Sequence, residues 1–462
     1  MKTKFNKFLM VIVILSFFLL ISQDKPIGLR IVSASYSSSL SQSGITWTFS
    51  EPVEYGTYAN GDYWVAGPVE IINIYPQSTK DIATGRVING SMLNPALGST
   101  QGYDSEMDNN GYSEELNVAR LNDAIVSDEN PLSITSGSLV SSITHPEPEH
   151  RPQLTDAAVL TVVSTKPAEG SFRPPYSGEN KTHYWNKSDI EWNLLPGLDK
   201  NNISNLPDIP ELEGLIQKVW LDHGGGTHRG RTYHPSNHME IYGRDMAVIT
   251  GDVALALMLD YPRDNIEYLL VYFLQLGIDW YGVTNTADDL YGGMGGIWWG
   301  GGGHGHGRKW PMLFAGIMMD DNNITAYCDG EEYPIFQEEQ QYFYVTQEDV
   351  DRDRYTRDGR QRDPYTTDMI GLPEWGAQHL NDPERDGSNW NVYYREIVSA
   401  SIGGHVLAAH MMNARSLWNW EAIFEYQDRW WVHPETDIHG YSNFLVSMWH
   451  EYRDDYPPVW TE

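Results

Sequence analysis

Between Tyr291 and Pro311 the chain reads YGGMGGIWWGGGGHGHGRKWP, and ten of the sixteen residues from Gly292 to Gly307 are glycine. Ordering so much glycine costs conformational entropy, and the cost is tolerated mainly where backbone must come close to something. The glycines are interleaved with Trp298, Trp299, His304, His306, Arg308 and Lys309. Indole faces, imidazoles and cations in one loop are the chemistry of a sugar or anion site. A flexible surface loop is the plainer reading, but flexible linkers are Gly/Ser tracts without Trp and His.

A second cluster holds His223, His228, Arg229, Arg231, Tyr233, His234, Asn237, His238, Tyr242 and Arg244. Pro235 suits the first turn of a helix. On that helix His238, Tyr242 and Asp245 share a face at i, i+4 and i+7. An Asn amide and a His imidazole at a helix N-terminus can bind and polarise a carboxylate. The ordinary alternative is that these residues cap helices and fill hydrogen bonds in the core. A third group surrounds Trp375, with Glu374, His379, Tyr394, Arg395 and His405 as further candidates, each equally at home as structure. His304-Gly305-His306, and His234 with His238 at i, i+4, invite a zinc reading. No H-E-x-x-H occurs and no third ligand follows by spacing. No cofactor is therefore expected to be required, which leaves room for a structural divalent cation.

Charge sharpens the contrast between these clusters and the rest. The formal net charge is −32 over 462 residues. Such a field argues against nucleic acid as a partner. Against it, His223–Arg244 carries three Arg, four His and one Glu, and Gly292–Lys309 carries two cations, two His and no acid. A cationic, His-rich patch on an acidic protein points to an anionic ligand. Aromatic residues make up 12% of the chain, with 17 Trp and 28 Tyr. Part of that excess fits stacking platforms for sugar rings.

The elements that must position these residues fall into two regions. ITWTF, YWVAGPVEIINIY, SLVSSI and AVLTVV are β-branched and aromatic runs broken by Gly, Pro, Asn and Asp, so residues 35–184 read as a β-rich, sandwich-like domain. Phe172–Gly178 is a stiff, proline-containing connector. Residues 185–462 read as helical, with helices expected at 212–220, 235–259, 265–281 (stopped by Gly282), 310–319, 392–412, 417–431 and 441–452. Helix pairs joined by glycine-rich aromatic loops suggest an (α/α) barrel or incomplete toroid, with a looser bundle as the competitor. Glu338–Asp363 is highly charged and reads as a solvated excursion, or else as a lid.

Residues 1–34 read as a secretory signal: Lys2, Lys4 and Lys7 precede an apolar run from Phe8 to Ile21 that is short for a membrane span. A secreted or periplasmic location follows, with no integral membrane domain expected. Cys328 is the single cysteine, so no internal disulfide can form.

At Ser236-Asn237-His238, followed by an Ala-rich helical segment ending in Leu259-Asp260-Tyr261-Pro262, the chain resembles polysaccharide lyases built on an (α/α) toroid, above all the heparinase II/III and oligoalginate lyase groups. The resemblance covers residues 185–460. It implies that Asn237 and His238 serve the substrate carboxylate and the base, and that Tyr291, 54 residues beyond Asn237, acts as general acid. Two features depart from those groups: the β-rich part comes first here, and their additional histidine from a C-terminal sheet has no counterpart, leaving His304, His306 or His405 to replace it.

The chemistry suits β-elimination. The C5 proton of a uronate becomes labile once its carboxylate is neutralised by Asn, His and Arg donors. A Tyr or His then removes it and a Tyr protonates the leaving oxygen. The expectation is a secreted enzyme that degrades a uronate-containing, anionic polysaccharide or oligosaccharide. One alternative is a glycoside hydrolase using two of Asp222, Glu240, Asp245, Asp288, Asp289 and Glu374. The other is a glycan-binding surface protein without turnover.

Overall fold

The computed structural model describes residues 34–98, 100–107, 111–121, 124–150, 152–224, 244–286, 297–298, 303–354, 359–376, 382–386, 395, 398–432 and 442–456. The secretory-signal reading of residues 1–34 therefore falls, but for Ala34, outside the described residues. The architecture is mixed, with a strand-rich N-terminal part and a helical C-terminal part.

The strands lie mainly in one curled, eight-stranded sheet: β1 (Ser35–Gln42), β2 (Ile45–Thr57), β3 (Tyr63–Ala66), β4 (Val69–Tyr75), β5 (Ser91–Leu93), β6 (Leu132–Ile134), β7 (Gly137–Thr144) and β8 (Leu154–Val163). Their order is β6-β4-β2-β3-β8-β7-β5, with β1 also on β2. Only the β3–β8 pair is parallel; the other pairs are antiparallel. Alternation sets the faces of β2, where Ile45, Trp47 and Phe49 are buried and Thr46 and Thr48 less so. Strands β7 and β8 are instead buried almost along their whole length, because both faces are covered. Leu139 and Leu160 enter the sheet's own core, whereas their neighbours Val140 and Val159 enter the core of the helical part.

That second core is shared by both regions, and Ser35–Glu462 forms one compact unit. Its helices are α1 (Ile209–Ile216), α2 (Asp245–Leu257), α3 (Arg263–Asn285), α4 (Lys309–Met318), α5 (Asn322–Ala326), α6 (Gln337–Gln341), α7 (Gly403–Met411), α8 (Glu421–Trp431) and α9 (Asn443–Tyr452). Arg173 in the connector fastens the strand-rich part to α3. Its guanidinium donates to both carboxylate oxygens of Asp279, at 2.9 and 2.6 Å, and its Nε to Asp62. The Gln275 side chain pairs with the Arg173 backbone N–H and C=O at 3.0 Å each.

Three expectations are corrected. Gly282 does not stop α3, which runs on to Asn285; it is the place where Pro175 rests, only 2.1 Å from where a Cβ would stand. The helix expected over 417–431 is broken by Asn419, whose φ of 50° is left-handed. The charged stretch from Glu338 begins in the interior, since Glu338 and Glu339 of α6 are buried. Beyond it, Tyr342–Tyr344 pairs with Pro373–Trp375. Among the described residues no helix is long and apolar enough to cross a membrane.

Candidate functional site

The His304–Lys309 segment is built as a tight scaffold. Gly303 and Gly307 have positive φ, at 100° and 88°, and a Cβ on Gly307 would stand 2.7 Å from the Ala247 Cα in the first turn of α2. Glycine is required there by conformation and by proximity together. Gly305 N–H donates to Gln337 Oε1 at 2.7 Å, and Gly307 N–H to Glu338 Oε1 at 3.1 Å. The acidic start of α6 thus receives the loop's amides.

Arg308 and Lys309 point inward. Arg308 Nε donates to Asp222 Oδ2 at 2.8 Å, and its Nη1 donates to the carbonyls of His304 and His306 at 2.7 and 2.8 Å. Lys309 pairs with Glu339, donates to the Trp418 carbonyl at 2.9 Å, and lies over the Trp418 ring. Both cations are fully buried and neutralised, so they organise the loop and are not displayed to a ligand.

The histidines divide likewise. His304 is half-buried. His306 is fully buried, with Nδ1 3.4 Å from Ser401 Oγ and its ring stacked on Tyr342. Burial, together with Arg308, pushes it down to about 3 against the pull of the Val398 carbonyl. His405, also buried, is pushed down to about 3 by burial and by His306. The Thr250 hydroxyl donates to the Met246 carbonyl at 2.6 Å, so His405 Nε2 must be the donor in its 2.9 Å contact with Thr250 Oγ1. Its Nδ1 is then a buried acceptor without a hydrogen bond. His223 is held between Tyr103 and Tyr176, edge-on to both, with Nδ1 3.3 Å from the Tyr176 hydroxyl.

Arg244 differs from all of these. It is 8% exposed and sits at the N-cap of α2, where its own side chain does not cap the helix. Among the described residues its Nε and Nη1 are buried without hydrogen-bond partners, while Nε forms an ion pair with Asp245 Oδ1 at 3.6 Å. A desolvated guanidinium at a helix N-terminus is suited by residue type and by dipole to meet an anion.

Trp298 and Trp375 are interior residues. Trp298 stacks on Phe336 and meets Trp280 edge-on, and Trp375 belongs to the strand paired with Tyr342. They are core, and the sugar platforms expected of them are not displayed. Asn237, His238, Tyr291, His228, Arg229, Arg231, Tyr233, His234, Tyr242 and Trp299 lie outside the described residues. The ends from which their segments depart are held together, however. Leu97 N–H donates to Thr286 Oγ1 at 3.2 Å, and the next amide, Gly98 N–H, donates to the His223 carbonyl at 3.0 Å.

Of the carboxylates a hydrolase would need, Asp222 is paired with Arg308 and Glu374 with Arg395, all of them buried. Arg395 also pairs with Glu384. Burial pushes Glu384 up to about 8, with Glu374 adding to the rise against the pull of Arg395. Among the described residues no group of three or more His, Cys, Asp or Glu is placed to hold a metal ion.

A groove of ≈ 550 Å³ went unnoticed in the sequence. Tyr184, Trp185 and Tyr281 line it, with Asn285 and Thr286 at the end of α3 and Asn323 on α5. The only signal was the adjacent aromatic pair in His183-Tyr184-Trp185-Asn186. No protein-family model matches the chain, and no curated protein or solved structure is similar to it.

Proposed function

We propose that this protein is a secreted enzyme that cleaves a uronate-containing polysaccharide by β-elimination, with Arg244 as a receptor for the uronate carboxylate. The observation that carries the reading is the Arg244 guanidinium, nine-tenths buried at the start of α2, with two nitrogens that make no hydrogen bond among the described residues and an ion pair to the adjacent Asp245 at 3.6 Å. A buried cation in that state gains most from a carboxylate brought to it. Gly307 packs on the same helical turn, which brings the loop carrying His304 beside it. The adjacent amides of Leu97 and Gly98 hold Thr286 and His223 close to one another.

In this mechanism Arg244, Asn237 and His238 take the carboxylate and stabilise the charge that develops as the C5 proton leaves. Tyr291 removes that proton and passes one to the departing glycosidic oxygen. The proposal keeps a sandwich-like strand-rich part and an incomplete (α/α) toroid for the helical part, a reading that the close α2–α7 approach at Gly251 and Gly404 favours. The buried pairing of Asp222 and Glu374 weighs against a hydrolase.

The test compares two variants on a uronate polysaccharide. Tyr291→Phe should abolish turnover while leaving substrate binding and the melting temperature unchanged. Arg244→Lys should lower kcat/KM by about a hundredfold, the scale on which an oriented charge-stabilising donor acts. Full activity in either variant would overturn the assigned role.

A further inference from the structure

We propose that the groove between the connector and the end of α3 is a subsite for uncharged sugar residues, so that the substrate is a mixed chain carrying neutral sugars next to the uronate. The neutral-sugar site stands on its own geometry; its place beside a uronate rests on the lyase reading above.

The groove's aromatic wall is pre-arranged. Trp185 is anchored by its Nε1–H, which donates to Asp321 Oδ2 at 2.9 Å. Tyr184 and Tyr281 each meet Trp185 edge-on, at 5.7 and 6.5 Å between ring centroids. Tyr184 is 60% exposed although it is large and apolar on its face, and Asn180 Nδ2 donates to its hydroxyl at 3.4 Å. An exposed ring in a fixed orientation is a platform for the C–H face of a sugar. Around it Asn285, Asn323 and Thr182 offer amides and a hydroxyl, which both donate and accept and so match the hydroxyls of a polyol. The volume of ≈ 550 Å³ lies within the roughly 300–1,000 Å³ of ligand sites.

Charge selects the class of sugar. Glu179 and Asp321 line the groove, and among its described lining residues there is no Lys, Arg or His. Two neighbouring basic residues, Lys181 and His183, are not among the lining residues and are held by other partners. The Lys181 ammonium donates to the carbonyls of Pro175, Tyr176 and Ser177, and His183 Nε2 meets the Tyr58 hydroxyl at 2.9 Å. A carboxylate would therefore meet like charge on a protein that is already strongly acidic. Hydrogen bonds also tie the groove's wall to the segment that carries Asp222. Gly178 N–H donates to the Pro95 carbonyl, Leu97 N–H to Thr286, and Gly98 N–H to His223, whose neighbour Asp222 holds Arg308.

The test is calorimetric titration of the full chain with cellohexaose, xylohexaose and mannohexaose as neutral probes, and with oligogalacturonate and oligoalginate as charged ones. At least one neutral probe should bind. Tyr184→Ala should weaken it by about tenfold, the loss expected for one stacked ring. Tyr184→Phe should bind as the wild type, and neither variant should shift the melting temperature. Absence of neutral-probe binding, equal binding by Tyr184→Ala, or a charged probe whose binding Tyr184→Ala removes would each overturn the proposal. None of these readouts needs turnover. Neutral binding without an unsaturated product would sink the lyase reading and leave the groove, whereas an unsaturated product with no neutral binding would do the reverse.

Discussion

At the scale of single residues, the two arginines nearest the loop have opposite duties. Arg308 meets Asp222 across 86 positions of sequence and holds two carbonyls of the loop as well. Removing one partner of such a buried pair leaves the other charge desolvated, at a cost of about 3–5 kcal/mol. Asp222→Ala should therefore lower stability by about that amount in denaturant titration, and adding Arg308→Met should recover most of it. A single variant as stable as the wild type would show that the pair does not organise the loop. Among the described residues Arg244 has the looser ion pair with Asp245, at 3.6 Å, so its loss should cost activity far more than stability. The sequence marked both arginines as cations in His-rich company. It could not distinguish them, because the distinction depends on a carboxylate distant along the chain.

Among the elements, helical periodicity located α3, α4 and α9 to within a few residues. Its failures have local causes. Gly282 looks like a stop signal, yet its missing side chain makes room for Pro175 and lets the connector lie on α3. Gly282→Ala should force that contact apart and destabilise the protein by about 1–3 kcal/mol, the usual cost of overpacking, as measured by thermal unfolding. A neutral or stabilising effect, as an ordinary exposed helix would give, would contradict the packing argument. The acidic α6 was misread as solvated because its partners, Lys309 and the amides of Gly305 and Gly307, are about 30 residues away in sequence. The groove was illegible for a similar reason, since Tyr184, Tyr281 and Asn323 converge from three separate elements.

Over the whole molecule, buried titratable groups set opposing slopes of stability with pH. His306 and His405 are held down to about 3, against an ordinary 6.5. Below pH 6.5 the unfolded chain takes up two protons that the folded chain refuses, so these residues favour folding above that pH and cost stability as it falls. Burial, with Glu339 beside it, pushes Glu338 up to about 7, and Glu384 reaches about 8, against an ordinary 4.5. The folded chain keeps two protons that the unfolded chain releases above pH 4.5, so these residues cost stability as pH rises. Between about pH 4.5 and 6.5 the two trends cancel. Outside that window each proton contributes about 1.4 kcal/mol per pH unit. Urea unfolding across pH should show a plateau near pH 5–6 with decline on both sides. Stability still rising between pH 6.5 and 7 would contradict the assignment of buried neutral histidines and protonated glutamates; above pH 7 buried Lys181, pushed down to about 7, adds a rising slope of its own.

The central claim is that the chain makes unsaturated uronates, and the most direct measurement is ultraviolet absorbance of the product during incubation of the full chain with alginate, glucuronan, ulvan and glycosaminoglycans. The account predicts a rising signal on at least one of these, lost in Tyr291→Phe. New reducing ends without that absorbance would contradict it and return attention to paired carboxylates.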